Sequence, residues 1–119
     1  MQPEDRDTGF LWDMLAAVNS IALFVGDSDE RQFELNDQLR SAVSWQVIVV
    51  GEAARRVSRE FRDQTPQIDW QLLLRQRNFY AHDYDAVSAD ELWELVRMYV
   101  PRLAELIAPL LPPLPPEIG

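Results

Sequence analysis

The chain has no cysteine, no lysine and one histidine, His82, and each scarcity removes a class of chemistry. Without cysteine there is neither a disulfide framework nor a thiolate zinc site, and one imidazole per chain cannot build a histidine-rich metal site without several subunits. The expectation is chemistry that needs no metal and no cofactor. Long apolar runs are also missing. The longest fall well short of a membrane span, and the opening Met1-Gln2-Pro3-Glu4-Asp5-Arg6-Asp7 is polar and acidic, unlike a secretory signal. Both features point to a cytoplasmic protein with no membrane partner.

Positive charge is sparse and carried only by arginine. Formal net charge is −9, so the global field repels nucleic acid. Its distribution is uneven: six arginines (55, 56, 59, 62, 75 and 77) face three acids (Glu60, Asp63, Asp69) between positions 55 and 77. That segment is therefore +3 and the remainder −12. Two readings stay open for Arg55, Arg56, Arg59 and Arg62: the solvated face of a helix, or a surface that tracks RNA or meets a partner.

With 119 residues and 47% hydrophobic content the chain is long enough for one core and too short for two. Asp7 or Thr8 can cap a first helix whose Leu11, Leu15, Val18, Ile21 and Val25 recur at helical spacing, with Gly26 closing it. A short helical piece follows from about Glu30 to Leu35, and Asn36 can cap a long helix from about Asp37 to Arg62. The middle of that helix, Trp45 to Ala54, is apolar on nearly all sides, so it should be central in the bundle and also covered by a second subunit. Thr65-Pro66 breaks the chain, and Asp69 can cap a helix anchored by Trp70, Leu73 and Leu74. Ser88-Ala89-Asp90-Glu91 reads as a capping box opening a last helix, which Pro101 should kink. The fold class is all-α, an up-down bundle of about four main helices over residues 1–108. The tail, 109–119, carries five prolines between Pro109 and Pro116, favours an extended conformation and is assigned no function.

The chemistry is expected in Arg77-Asn78-Phe79-Tyr80-Ala81-His82-Asp83-Tyr84. Histidine can give and take a proton near neutral pH, and arginine is shaped to grip a phosphate by paired hydrogen bonds. The combination suggests phosphate-ester chemistry; the blander alternative is a histidine that only caps a helix end. If the helix continues through the motif, Asn78 and His82 share a face while Arg77 is turned away by more than a third of a circle. Bringing Arg77 and His82 to one phosphate then requires the helix to end between them, or a second chain.

These residues resemble the HepT-like ribonuclease toxins of the HEPN superfamily, small helical proteins paired with a minimal nucleotidyltransferase (MNT) antitoxin. The likeness covers most of the chain. It rests on Arg77 and Asn78, then His82, then Tyr84, with Gly51-Glu52-Ala53 in the long helix, Pro66 through Trp70 before the motif, Leu92-Trp93 after it, and Pro101. The resemblance implies a helical homodimer with the two motifs at its interface and metal-independent RNA cleavage. It also implies that the antitoxin silences the toxin by adenylylating the motif tyrosine, here Tyr84.

The residues fit such a mechanism. RNA brings its own nucleophile, the 2′-hydroxyl, so cleavage needs a base, an acid and positive charge on the transition state. Two His82 and two Arg77 in a two-fold dimer could fill those roles in one cleft. His82 would be the general base or acid, Arg77 the transition-state clamp, Asn78 an orienting group, and Tyr84 a phosphate or base contact and the modification site. A helix C-terminus, Asp83 and Asp85 would all favour a charged imidazole. For Glu52, set among apolar neighbours, three readings remain: support for the site through an arginine near the motif, a structural ion pair, or an exposed residue beside a tight helix contact made by Gly51 and Ala54. Asp83 and Asp85 argue the other way, because they would repel a polyanion. The rival functional reading is a non-catalytic, nucleotide-binding partner or substrate of a nucleotidyltransferase; a purely structural helical dimer leaves the placing of the sole histidine unexplained.

Overall fold

A computed structural model describes residues 4–83 and 87–113, and all regular structure among these residues is helical. The elements are α1 (Asp5–Val25), α2 (Glu30–Leu35), α3 (Asp37–Arg56), α4 (Arg59–Gln64), α5 (Trp70–Asp83), α6 (Ala89–Glu94) and α7 (Val100–Ile107). A π-helical turn, Leu95–Tyr99, joins α6 to α7 into one rod. Four long rods thus form the bundle: α1, α3, α5 and α6–α7. α3 lies between α1 and α5, while α7 packs on α1.

The apolar stripe of α1 is buried as Leu11, Met14, Val18, Ile21 and Val25, and the helix closes at Gly26, whose φ of 50° suits glycine. With 21 residues, and an 18-residue stretch whose mean hydropathy is 1.5, α1 is long and apolar enough to cross a membrane, contrary to the expectation from the sequence. Its stripe nevertheless packs on α3 and α7, as in a core helix. Burying each such side chain contributes about 1.5–3 kcal/mol. Asn36 caps α3 as expected, its Oδ1 accepting from the Leu39 amide at 3.0 Å.

Two boundaries differ from expectation, and for one reason. The helix expected to run from Asp37 to Arg62 is two helices, broken at Val57-Ser58, and α1 begins before Asp7 rather than being capped by it. Asp7 is only 4% exposed. Its carboxylate accepts from the Ser58 amide at 2.7 Å and the Ser58 hydroxyl at 2.6 Å, while Ser58 Oγ caps α4 by accepting from the Phe61 amide at 3.2 Å. A buried carboxylate demands donors, and α3 ends where Ser58 supplies two. Contacts 51 residues apart decide this break, so local pattern could not reveal it.

The start of α5 is fixed more locally. Asp69 Oδ1 accepts from the Leu72 amide at 3.0 Å, and buried Trp70 donates its indole N–H to the Thr65 carbonyl at 3.1 Å. In the last rod, a π turn precedes Pro101, where a kink was expected. Val100 N–H bonds to the Leu95 carbonyl, five residues back, and Pro101 offers no N–H to continue the ordinary ladder. A 3-10 turn, Ala108–Leu110, ends the rod at the start of the tail.

The middle of α3 is not enclosed by its own chain. Val47, Val50, Ala53 and Ala54 are buried, but Trp45 is 61% exposed and Ile48 and Val49 are only partly covered.

Candidate functional site

α5 remains helical from Trp70 to Asp83, so Arg77, Asn78 and His82 all lie on continuous helix. At 3.6 residues per turn the directions of Arg77 and His82 differ by about 140°. Trp70 and Leu73, which flank Arg77 on the helical wheel, are buried, whereas Asn78, His82 and Asp83 are exposed. Arg77 therefore faces inward toward α3 and His82 faces out. Tyr84 and Asp85 lie outside the described residues.

Gly51 is what lets α3 and α5 meet so closely. A Cβ there would stand 2.8 Å from the Leu73 carbonyl oxygen and collide with the Arg77 Cβ. With that contact made, the next residue, Glu52, reaches Arg77: Oε2 lies 3.3 Å from Arg77 Nε, both side chains being 31% exposed. The Arg77 Nε–H is buried and makes no aligned hydrogen bond, so this contact is Coulombic. Arg77 Nη1 donates to Asn78 Oδ1 at 3.0 Å. The sequence reading set a tight contact at Gly51 against a paired Glu52; the structure contains both, and the first makes the second possible.

Two further arginines join, which the sequence reading did not single out as partners of Glu52. Arg55 Nη2 donates to Glu52 Oε1 at 2.6 Å, and Arg56 Nε lies 3.7 Å from the same oxygen. The signal was present, since residues three and four apart on a helix are neighbours. The hydrogen bond from Arg55, with the charges of Arg55, Arg77 and Arg56, holds the Glu52 carboxyl below its ordinary range against the opposing effect of desolvation. Three guanidinium groups around one carboxylate leave excess positive charge beside the motif, suited to a phosphodiester. Phe10 extends the cluster toward α1, with the Arg56 guanidinium 5.9 Å from its ring centroid.

Glu52 and Arg56 also border a groove of about 470 Å³ between α1 and α3, walled by Phe10, Ala17, Trp45 and Val49. The uncovered side of α3 is thus continuous with the residues that hold Arg77. Among the described residues no three His, Asp or Glu side chains gather as a metal-ligand set.

Comparison with known proteins identifies the family. The family model described as "Ribonuclease HepT-like" matches residues 14–110, which run from the middle of α1 to the end of the last rod and include the motif. This chain belongs to the HepT-like ribonuclease family. "Putative RNase MJ1380" of Methanocaldococcus jannaschii is 32% identical over 94 residues, covering 79% of this chain and 86% of the relative. "Putative RNase MJ0125" of the same organism is 28% identical over 101 residues, covering 85% and 87%. "Probable ribonuclease HepT" of Thermococcus cleftensis is 27% identical over 94 residues, covering 79% and 86%. No solved structure gives a significant match. In this HepT-like chain, then, the Arg77 cluster is built within one copy, whereas His82 stands on the opposite face of the same helix.

Proposed function

We propose that this protein is a metal-independent endoribonuclease toxin of a type VII (HEPN/MNT) toxin-antitoxin system, active as a homodimer whose two Arg77 and two His82 act together in one cleft. The observation that carries this reading is the unbroken helix α5, which turns Arg77 and His82 about 140° apart within one chain. One chain cannot close both side chains on the same phosphate, and one chain has one imidazole where cleavage needs a base and an acid. A second copy supplies both. The groove beside Glu52, with exposed Trp45, is the apolar surface that supports pairing.

In the proposed reaction one His82 takes the proton from the 2′-hydroxyl, whose oxygen attacks the adjacent phosphorus. The other His82 gives a proton to the departing 5′-oxygen. Arg77, held toward the phosphate by Glu52 and Asn78, balances the charge that gathers on the non-bridging oxygens. The products are a 2′,3′-cyclic phosphate and a 5′-hydroxyl, and tRNA is a candidate substrate. A nucleotidyltransferase antitoxin would silence the enzyme by adenylylating Tyr84, two residues beyond His82. The adduct would add a bulky anion beside the cleft and repel the RNA backbone.

The test uses protein whose intact mass shows unmodified Tyr84, incubated with total tRNA in EDTA beside His82→Ala. Fragments from the wild type alone, ending in cyclic phosphate, are the expected result. Intact RNA with both proteins contradicts the nuclease reading and leaves the rival, a nucleotide-binding subunit of the transferase. Adding the transferase and ATP should then increase the mass by one adenylyl group in the wild type and not in Tyr84→Phe.

A further inference from the structure

The outward face of α5 carries more than His82. Arg75 and Phe79 are one turn apart, and Phe79 is three residues from His82, so the three side chains are neighbours on one surface. Phe79 is 40% exposed. Its orientation is fixed from below by an edge-to-face contact with buried Tyr80, the centroids 5.9 Å apart and the planes at 80°. Arg75, Gln76, Phe79, Tyr80, Glu91 and Leu95 line a depression of about 430 Å³ between α5 and the α6–α7 rod. The ring thus borders a mostly apolar hollow, walled also by Tyr80 and Leu95, that carries a cation, an amide and a carboxylate. Burial, then the charge of Glu91, pushes the Tyr80 hydroxyl up to about 12, so it stays a neutral donor.

These groups match a nucleobase with its phosphate. An aromatic face stacks on any base, a guanidinium pairs with the backbone, and short polar side chains read the base edge. We propose that this depression seats an unstacked RNA base belonging to the nucleotide beside the cut bond, with Phe79 as the stacking surface, Arg75 on the backbone, and Gln76 and Glu91 at the base edge. The seat rests on the ribonuclease reading and adds to it a requirement for single-stranded or splayed RNA. It also sets a preference. A Glu91 carboxylate accepts hydrogen bonds, so it favours a base edge with an exocyclic amino group over that of uracil, whose single N3–H lies between two carbonyls.

The test measures KM and kcat of the full-length protein on single-stranded oligoribonucleotides that differ only at the nucleotide flanking the cut, including one lacking that base. Phe79→Ala should raise KM roughly 5- to 100-fold on the intact substrate with kcat little changed, and Phe79→Trp should restore it. On the abasic substrate the wild type and Phe79→Ala should be alike. Glu91→Gln should reduce the discrimination against uracil. Equal KM for wild type and Phe79→Ala on every substrate would overturn the seat while leaving the nuclease intact. So would a loss that is the same on intact and abasic RNA with a change of molar mass by light scattering, which would make Phe79 a protein contact. A wild type that neither binds nor cuts RNA would overturn the nuclease reading and the seat together.

Discussion

The two faces of α5 differ in how completely one chain provides for them. On the inner face Arg77 is met by a carboxylate at 3.3 Å, by Asn78 at 3.0 Å and by a glycine that makes room for it. On the outer face His82, Phe79 and Arg75 stand toward solvent. The inner face is thus pre-organised before any substrate arrives, whereas the outer three side chains make no hydrogen bond or ion pair among the described residues. A charge held by packing loses little freedom on binding, which is how a fixed clamp differs from a flexible surface arginine.

The largest effect should come from the outer face, and on activity alone. His82→Ala is expected to slow cleavage roughly 10²- to 10⁴-fold with an unchanged melting temperature, since the imidazole is exposed. A lower melting temperature would place His82 in the fold instead. On the inner face, Gly51→Ala should damage both properties. The added methyl must displace the Leu73 backbone and Arg77, costing about 1–3 kcal/mol by urea unfolding and moving Arg77 away from Glu52.

Glu52→Gln separates positioning from packing. Cleavage should fall several-fold, with KM rising as the charge of Arg77 loses its anchor, while the bundle persists. Because the folded Glu52 carboxyl sits below its ordinary range, the stability it contributes is fully present above the usual carboxylate pKa and is lost as pH falls through the lowered folded value. The wild type should therefore exceed Glu52→Gln in urea midpoint at neutral pH and converge with it in strong acid. Smallest is a purely structural signature. Burial pushes Tyr80 and Tyr99 up to about 12, so their neutral forms support the fold below pH 10 and that support is lost as pH rises through about 12. An ultraviolet titration should show both phenols ionising late and together with alkaline unfolding.

The stripes, caps and breaks of this bundle were largely legible because they are local. Asn36 and Asp69 cap the helices they were expected to cap, and Gly26 closes α1. The break at Ser58 was not legible, because it depends on Asp7, half the chain away. Within the site, the opposed directions of Arg77 and His82 follow from spacing alone once α5 is continuous, but continuity itself had to be observed. The Arg55 and Arg56 contacts were within reach of helical spacing, whereas the approach of Gly51 to Arg77 joins two helices and no single-helix pattern contains it. Phe79 was hidden for another reason: inside a motif read for its charged residues, an aromatic reads as core, and here it is exposed.

The central claim is that the active unit needs two copies because one chain cannot bring its Arg77 and His82 together. The direct measurement co-refolds wild type with increasing proportions of His82→Ala at constant total protein and follows the rate of tRNA cleavage. If both imidazoles of a dimer are required, the rate falls as the square of the wild-type fraction. A rate in simple proportion to that fraction would mean that one imidazole suffices for each site, and would contradict a cleft that uses both.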